Sequence, residues 1–205
     1  MMQMGCISPM QMEHMVEHGD ILLFHSDNIN SKVQRFVTNS EFDHVAILVR
    51  LEDGKAAVLE ATGGSGVEIN LWEDFIRRGW VDIFVRMCYR KLSCRRDTAF
   101  NISLSNFINE NVGKKYEITV EKLFKLNSLI PDFLKGSPTQ EEKAKKEYET
   151  FFCSELVAAC YKACGIITHS KACSQYWPVT FTDKSFIPFL NGAKLEAQLE
   201  INTDM

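Results

Sequence analysis

A cysteine and a histidine stand where each could take part in nucleophilic chemistry. Phe151-Phe152-Cys153-Ser154-Glu155-Leu156-Val157 puts a thiol at the opening of an apolar helix. Far upstream, Asp43-His44-Val45-Ala46-Ile47-Leu48-Val49 puts an imidazole at the head of an apolar strand. The thiolate is the attacking species, so such a cysteine needs help to lose its proton. The unpaired N–H groups and positive dipole end of a helix give that help, and a neighbouring imidazole completes a thiolate–imidazole nucleophile. The same N–H groups, at Ser154 among them, can line an oxyanion hole.

Each residue also has a plainer explanation. Free cysteine is among the most buried residue types and often acts as a small hydrophobe. Cys160 and Cys164, on the inner face of the same helix, fit that description. His44 precedes five apolar residues and could be a satisfied structural histidine. The other histidines are placed less well. His14 and His18 lie in the polar N-terminal segment, His25 closes the first strand, and His169 follows the cysteine helix in a loop.

A catalytic histidine needs a third group to fix its tautomer and orientation. Glu60 is the candidate, because it interrupts the apolar strand Val58-Leu59-Glu60-Ala61, where an unpaired carboxylate is costly. Strand register decides whether it can reach. With a five-residue hairpin loop at 50–54, Val49 pairs with Lys55 and His44 lies opposite Glu60. With a two-residue Asp53-Gly54 turn, Ile47 pairs with Glu60 and the two side chains face opposite sides. Glu155 lies two positions past Cys153 on a helix and points elsewhere; it suits the helix dipole or a structural ion pair.

The elements that must hold these residues can be read from periodicity and turn chemistry. A strand at 20–24 and a short helix at 32–38 come first, then strands at 44–49, 56–60, 66–69 and 81–87. Asp53-Gly54 and Gly63-Gly64-Ser65-Gly66 supply turns, and 71–78 reads as a helical turn capped by Asn70. Asp97 caps a helix that runs to about residue 112 and stops at Gly113. Thr139-Gln140-Glu141-Glu142 is a capping box opening a charged, solvated helix. The cysteine helix spans 153–164 and ends at Gly165. The fold class this predicts is α+β, a small antiparallel sheet packed against helices. Residues 1–18 read as a flexible segment, 19–195 as one domain with 117–150 as an insertion or lid, and 196–205 as a tail.

Composition bounds the rest. A chain of 205 residues, 45% hydrophobic and 24% charged, suits one globular domain. A net charge of −4 argues against nucleic acid as the partner, since phosphate binding shows as a basic patch. No apolar run is long enough to span a bilayer. The seven cysteines form no Cys-x-x-Cys pair, so neither a metal nor another cofactor is expected. Their number is odd and no secretory signal precedes them, which points to a reducing, cytoplasmic setting. Six of the eight methionines fall in the first fifteen residues. A start at Met4 would expose Gly5-Cys6 to acylation, although Pro9 stands where a Ser or Thr is usual. Peripheral membrane contact could also run through Leu123, Phe124, Leu126, Ile130 and Phe133, for which lid or core packing is the plainer role.

Four short pieces in fixed order resemble a known family. Gly19-Asp20-Ile21-Leu22, Asp43-His44-Val45-Ala46-Ile47, Glu60-Ala61 and Cys153-Ser154-Glu155-Leu156-Val157 look like the circularly permuted, papain-like cysteine hydrolases of the NlpC superfamily. The similarity spans roughly residues 19 to 165 and is greatest to the YiiX-like subgroup, with bacterial and poxvirus members. In ordinary papain-like enzymes the cysteine precedes the histidine; the permuted group reverses the order, as here. The resemblance implies Cys153 as nucleophile, His44 as base and Glu60 as the polar third member. It offers Tyr116, in Gly113-Lys114-Lys115-Tyr116, as a wall or hydrogen-bond donor of the site. The lecithin–retinol acyltransferase group is a permuted cousin with a second histidine where this chain has Glu60. The activity implied is a thiol hydrolase that cleaves a peptide-like or N-acyl amide, or an ester, through an acyl-enzyme on Cys153. A lipid acyltransferase or thioesterase on the same three residues, or a silent binding module, are the alternatives.

Overall fold

The computed structural model describes residues 5–62, 66–79, 83–113 and 153–202. In chain order the elements are β1 (Gly5–Ile7), α1 (Pro9–Met15), β2 (Ile21–Ser26), α2 (Ile29–Thr38), β3 (His44–Arg50), β4 (Ala56–Thr62) and β5 (Gly66–Leu71). Then come α3 (Trp72–Arg77), β6 (Phe84–Arg90), β7 (Leu92–Ser93), α4 (Thr98–Asn111), a helix α5 over 153–163, β8 (Lys194–Leu195) and β9 (Leu199–Ile201). Tyr116, the segment 117–150 and its capping box lie outside the described residues.

Seven strands form one sheet in the order β1-β9-β6-β2-β3-β4-β5, and β7 pairs with β8 separately. The fold is α+β, as the patterning predicts. The sheet is larger than expected, and its β1–β9 pair is parallel while its other pairs are antiparallel. Period-2 alternation divides the core in two. Ile21, Leu23, Val45, Ile47, Val49, Ala57 and Leu59 pack in one cluster with Phe100 and Leu104 of α4 and with Leu156, Val157 and Tyr161 of α5. Leu22, Phe24, Ala46, Leu48, Ala56 and Val58 pack in the other with Met12 of α1 and with Trp72 and Phe75 of α3. Each fully buried Val, Leu, Ile, Phe or Met side chain among them contributes about 1.5–3 kcal/mol.

Both ends of the chain differ from the expected tails. Ser8 caps α1 in a reciprocal capping box with Gln11, and Met12 and Val16 are fully buried. Arg50 holds this helix to the sheet, donating to the carbonyls of Glu13, Val16 and Gly54. At the other end β9 joins the sheet between β1 and β6. Methionine-rich and mixed-polarity stretches of three to seven residues carry too little periodicity to reveal such packing. Two cap expectations also split: Asp97 caps α4 by accepting from Phe100 N–H at 3.0 Å, whereas α3 is preceded by Leu71 and has no side-chain cap from Asn70.

Asp20 is the buried junction of the sheet. It accepts from the N–H groups of Glu17 and Leu92, from the Tyr89 hydroxyl at 2.6 Å and from Arg96 at 3.1 Å. Burial raises its pKa, and these donors oppose the rise. Beside it Gly19 takes φ +88°, and an added Cβ would stand 2.8 Å from Leu92, so the position needs glycine. The Gly19 carbonyl receives the Tyr161 hydroxyl at 2.8 Å, which ties α5 to the start of β2.

Candidate active site

The β3–β4 hairpin decides the geometry. Its ladder pairs Ile47 with Leu59, Leu48 with Val58, Val49 with Ala57 and Arg50 with Ala56. The loop is therefore five residues, 51–55, closed by Leu51 N–H donating to the Lys55 carbonyl at 2.8 Å. This register is neither of the two anticipated; it is the five-residue alternative moved on by one residue. It preserves the parity that matters. Continued past Ile47, it sets Ala46 across from Glu60, with His44 two residues nearer the rim on the same face. Diagonal neighbours of this kind are within reach of long side chains.

His44 Nε2 and Glu60 Oε2 are 2.9 Å apart, with side chains 12% and 9% exposed. His44 is the first residue of β3, beyond the last β3–β4 pair and opposite Phe24 of β2. The imidazole also hydrogen-bonds the Cys153 side chain. With Nε2 taken by the carboxylate, Nδ1 is the nitrogen available to the sulfur. Burial, the largest influence, pulls the imidazole pKa down. The charge and hydrogen bond of Cys153, then those of Glu60, outweigh it, and His44 stands well above its ordinary value.

Cys153 is fully buried and opens the described part of α5. The neighbouring Ser154 hydroxyl donates to the Tyr176 carbonyl at 2.7 Å, so this side chain fixes α5 to the 173–181 segment. Any part for Ser154 in holding an oxyanion falls to its backbone. Glu155 is buried. Other thiols sit in different surroundings: burial pushes Cys88 up to about 12, and Cys160 of α5 is hydrogen-bonded with Cys164 just past the helix end. The residues implied by spacing and resemblance thus meet as one chain of contacts, Cys153–His44–Glu60.

The supports of this chain were not signalled in the sequence. Asp43 is buried and accepts from Ser26 N–H at 2.8 Å and from Arg35 at 2.5 Å. Arg35 donates in turn to the Ser26 carbonyl at 2.6 Å. Together they pin α2 and the end of β2 to the residue just before His44. Phe24, paired with His44 across β2–β3, lays its ring 5.2 Å from the imidazole and 4.6 Å from Phe84. An Arg eight residues before an Asp has no spacing rule, and Phe24 reads simply as core. Among the described residues no group of three or more His, Cys, Asp or Glu side chains is placed to hold a metal ion. No described helix is long and apolar enough to cross a membrane.

Comparison with known proteins adds the following. The sequence model of one family, described as permuted papain-like amidase enzyme, YaeF/YiiX, matches residues 15–126. That stretch contains His44 and Glu60 and ends before Cys153. Among solved structures, the metalloprotein YiiX from Escherichia coli O157:H7 is 15% identical, with a TM-score of 0.42, over 89% of this chain and 97% of that one. A search of the curated proteins finds no match.

Proposed function

Because the chain belongs to the permuted papain-like amidase family of YaeF and YiiX, we propose that it is a cysteine hydrolase acting on a peptide-like or N-acyl amide. The observation that carries this reading is the contact chain from Cys153 through His44 to Glu60.

His44 takes the thiol proton, and the sulfur attacks the amide carbonyl. A C–S bond forms while the carbonyl electron pair moves onto oxygen. N–H groups near the start of α5, at Ser154 among them, hold that oxyanion. Collapse expels the amine, which takes the proton from the imidazolium. Water, deprotonated by the same imidazole, then attacks the thioester and frees the acid and the thiol. Glu60 holds the ring in one orientation and stabilises its positive charge, the task of the third member in such sites. Tyr116 is proposed as a wall of the substrate pocket.

A panel of peptide, N-acyl and ester substrates, run with wild type and Cys153→Ala, tests this. Turnover that falls by about 1000-fold or more in the variant is expected, in line with losses on removing a nucleophile. An activity unchanged by Cys153→Ala would refute the assignment. Ester cleavage or transfer to an added alcohol, without amide cleavage, would favour the acyltransferase or thioesterase reading.

A further inference from the structure

The imidazole of His44 has an aromatic neighbour besides its hydrogen-bond partners. Phe24 stands directly opposite His44 across the β2–β3 ladder, so the two side chains lie side by side. Their ring centres are 5.2 Å apart, with planes inclined by 44°. Phe24 is fully buried, and other rings hold it: the centre of Phe84 lies at 4.6 Å and that of Phe75 at 5.9 Å. This packing fixes the ring against the imidazole.

An aromatic ring is not an inert wall to a cation. Its face carries negative charge and attracts a cation within about 6 Å of its centre, most strongly where water is excluded. An imidazolium spreads its charge over the whole ring. With Nε2 turned to Glu60 and the other nitrogen to Cys153, that charge meets Phe24 through the rest of the ring. Neutral imidazole lacks the charge, so the contact favours one protonation state over the other. The charged and titratable groups around His44 are Cys153 on α5, Glu60 on β4 and, one residue before it, Asp43, which pairs with Arg35 of α2. From β2 the neighbour is the uncharged Phe24.

We propose that Phe24 is a positioning residue of the site: its ring stabilises the imidazolium form of His44 and so favours the thiolate–imidazolium state of the Cys153–His44 pair. The consequence for catalysis rests on the hydrolase reading. The effect on His44 itself does not, because a proton can be titrated without turnover.

Two replacements test this. Phe24→Leu keeps an apolar side chain and removes the ring. Pentafluorophenylalanine at position 24 keeps the shape of the ring and reverses the charge on its face. His44 is titrated by NMR in histidine-labelled protein, its resonance assigned by its loss in His44→Asn. In both proteins the acid dissociation constant of the imidazolium should rise about three- to tenfold, and the alkaline limb of the kcat/KM profile should move to lower pH with it. Thermal unfolding shows whether Phe24→Leu is folded; the fluorinated protein carries the test if it is not. A His44 titration unmoved by fluorination would overturn the assignment. So would a shift to higher pH, which would put the positive rim of Phe24 against the imidazolium. The expected shift in a protein whose turnover is indifferent to Cys153→Ala would uphold the effect of Phe24 on His44 and sink the hydrolase reading alone.

Discussion

Glu60 contacts His44 through one carboxylate oxygen, and in the proposed mechanism that contact has two separable duties, orientation and charge. Glu60→Ala removes both and is expected to lower kcat/KM by about 100- to 10,000-fold. Glu60→Gln keeps an acceptor and loses the charge, so it should fall between Ala and wild type. Equal rates for Gln and Ala would mean that charge alone matters. The raised pKa of His44 has a consequence for stability too. A basic group whose folded value exceeds its unfolded one, near 6.5, stabilises fully below that value. The stabilisation is lost as pH climbs through the higher folded value. Urea midpoints measured from about pH 5 to 9 should therefore decline on the alkaline side. Cys153→Ala should flatten that decline, because Cys153 supplies the largest of the raising influences. At this scale the sequence was informative about placement: a polar residue interrupting an apolar strand and a thiol opening an apolar helix both come to lie against His44. It was silent on Phe24, whose packing against His44 looks like any other core aromatic.

At the scale of elements, the buried Arg35–Asp43 pair matters most, since it joins α2 to the turn that delivers His44. With side chains 10% and 2% exposed, it escapes most solvent screening. Arg35→Ala strands a buried carboxylate and should cost about 3–5 kcal/mol, seen as a lower urea midpoint. Arg35→Lys should recover part of that loss, because the bonds to Asp43 and to the Ser26 carbonyl both leave the single nitrogen Nη1 and an ammonium carries three donors. The β3–β4 hairpin shows what patterning can and cannot settle. Apolar runs marked both strands, but whether His44 and Glu60 share a face stayed open between two loop lengths until the loop at 51–55 set the parity. The register itself came from local turn energetics at Leu51–Lys55, where a shift of one residue between candidate loops costs little. β1 and α1 escaped notice for another reason: their packing depends on β9 and on Arg50, partners distant in sequence.

For the molecule as a whole, the C-terminal segment is held by buried Arg90. Its guanidinium donates to the carbonyls of Phe181, Leu195 and Glu196 at 2.6, 3.1 and 2.7 Å. Arg90→Met keeps the volume but orphans these acceptors. A loss of about 3 kcal/mol or more is expected, together with faster proteolysis within 181–196. Removing residues 1–15 should also lower the thermal midpoint, since it uncovers the face that Met12 fills; an unchanged midpoint would restore the picture of a loose tail. The parallel pairing of β1 with β9 carries one more consequence. Gly5 lies beside Leu199 and Ile7 beside Ile201, so the two ends of the described chain are neighbours. A crossover linker of about a dozen residues from residue 202 back to residue 5, with a new opening cut just ahead of Cys153, would rewire the backbone while keeping the strands in place. Such a rewired chain would read cysteine first and histidine second, and its catalysis should be the same: the reaction depends on where the strands lie, not on the order in which a ribosome makes them.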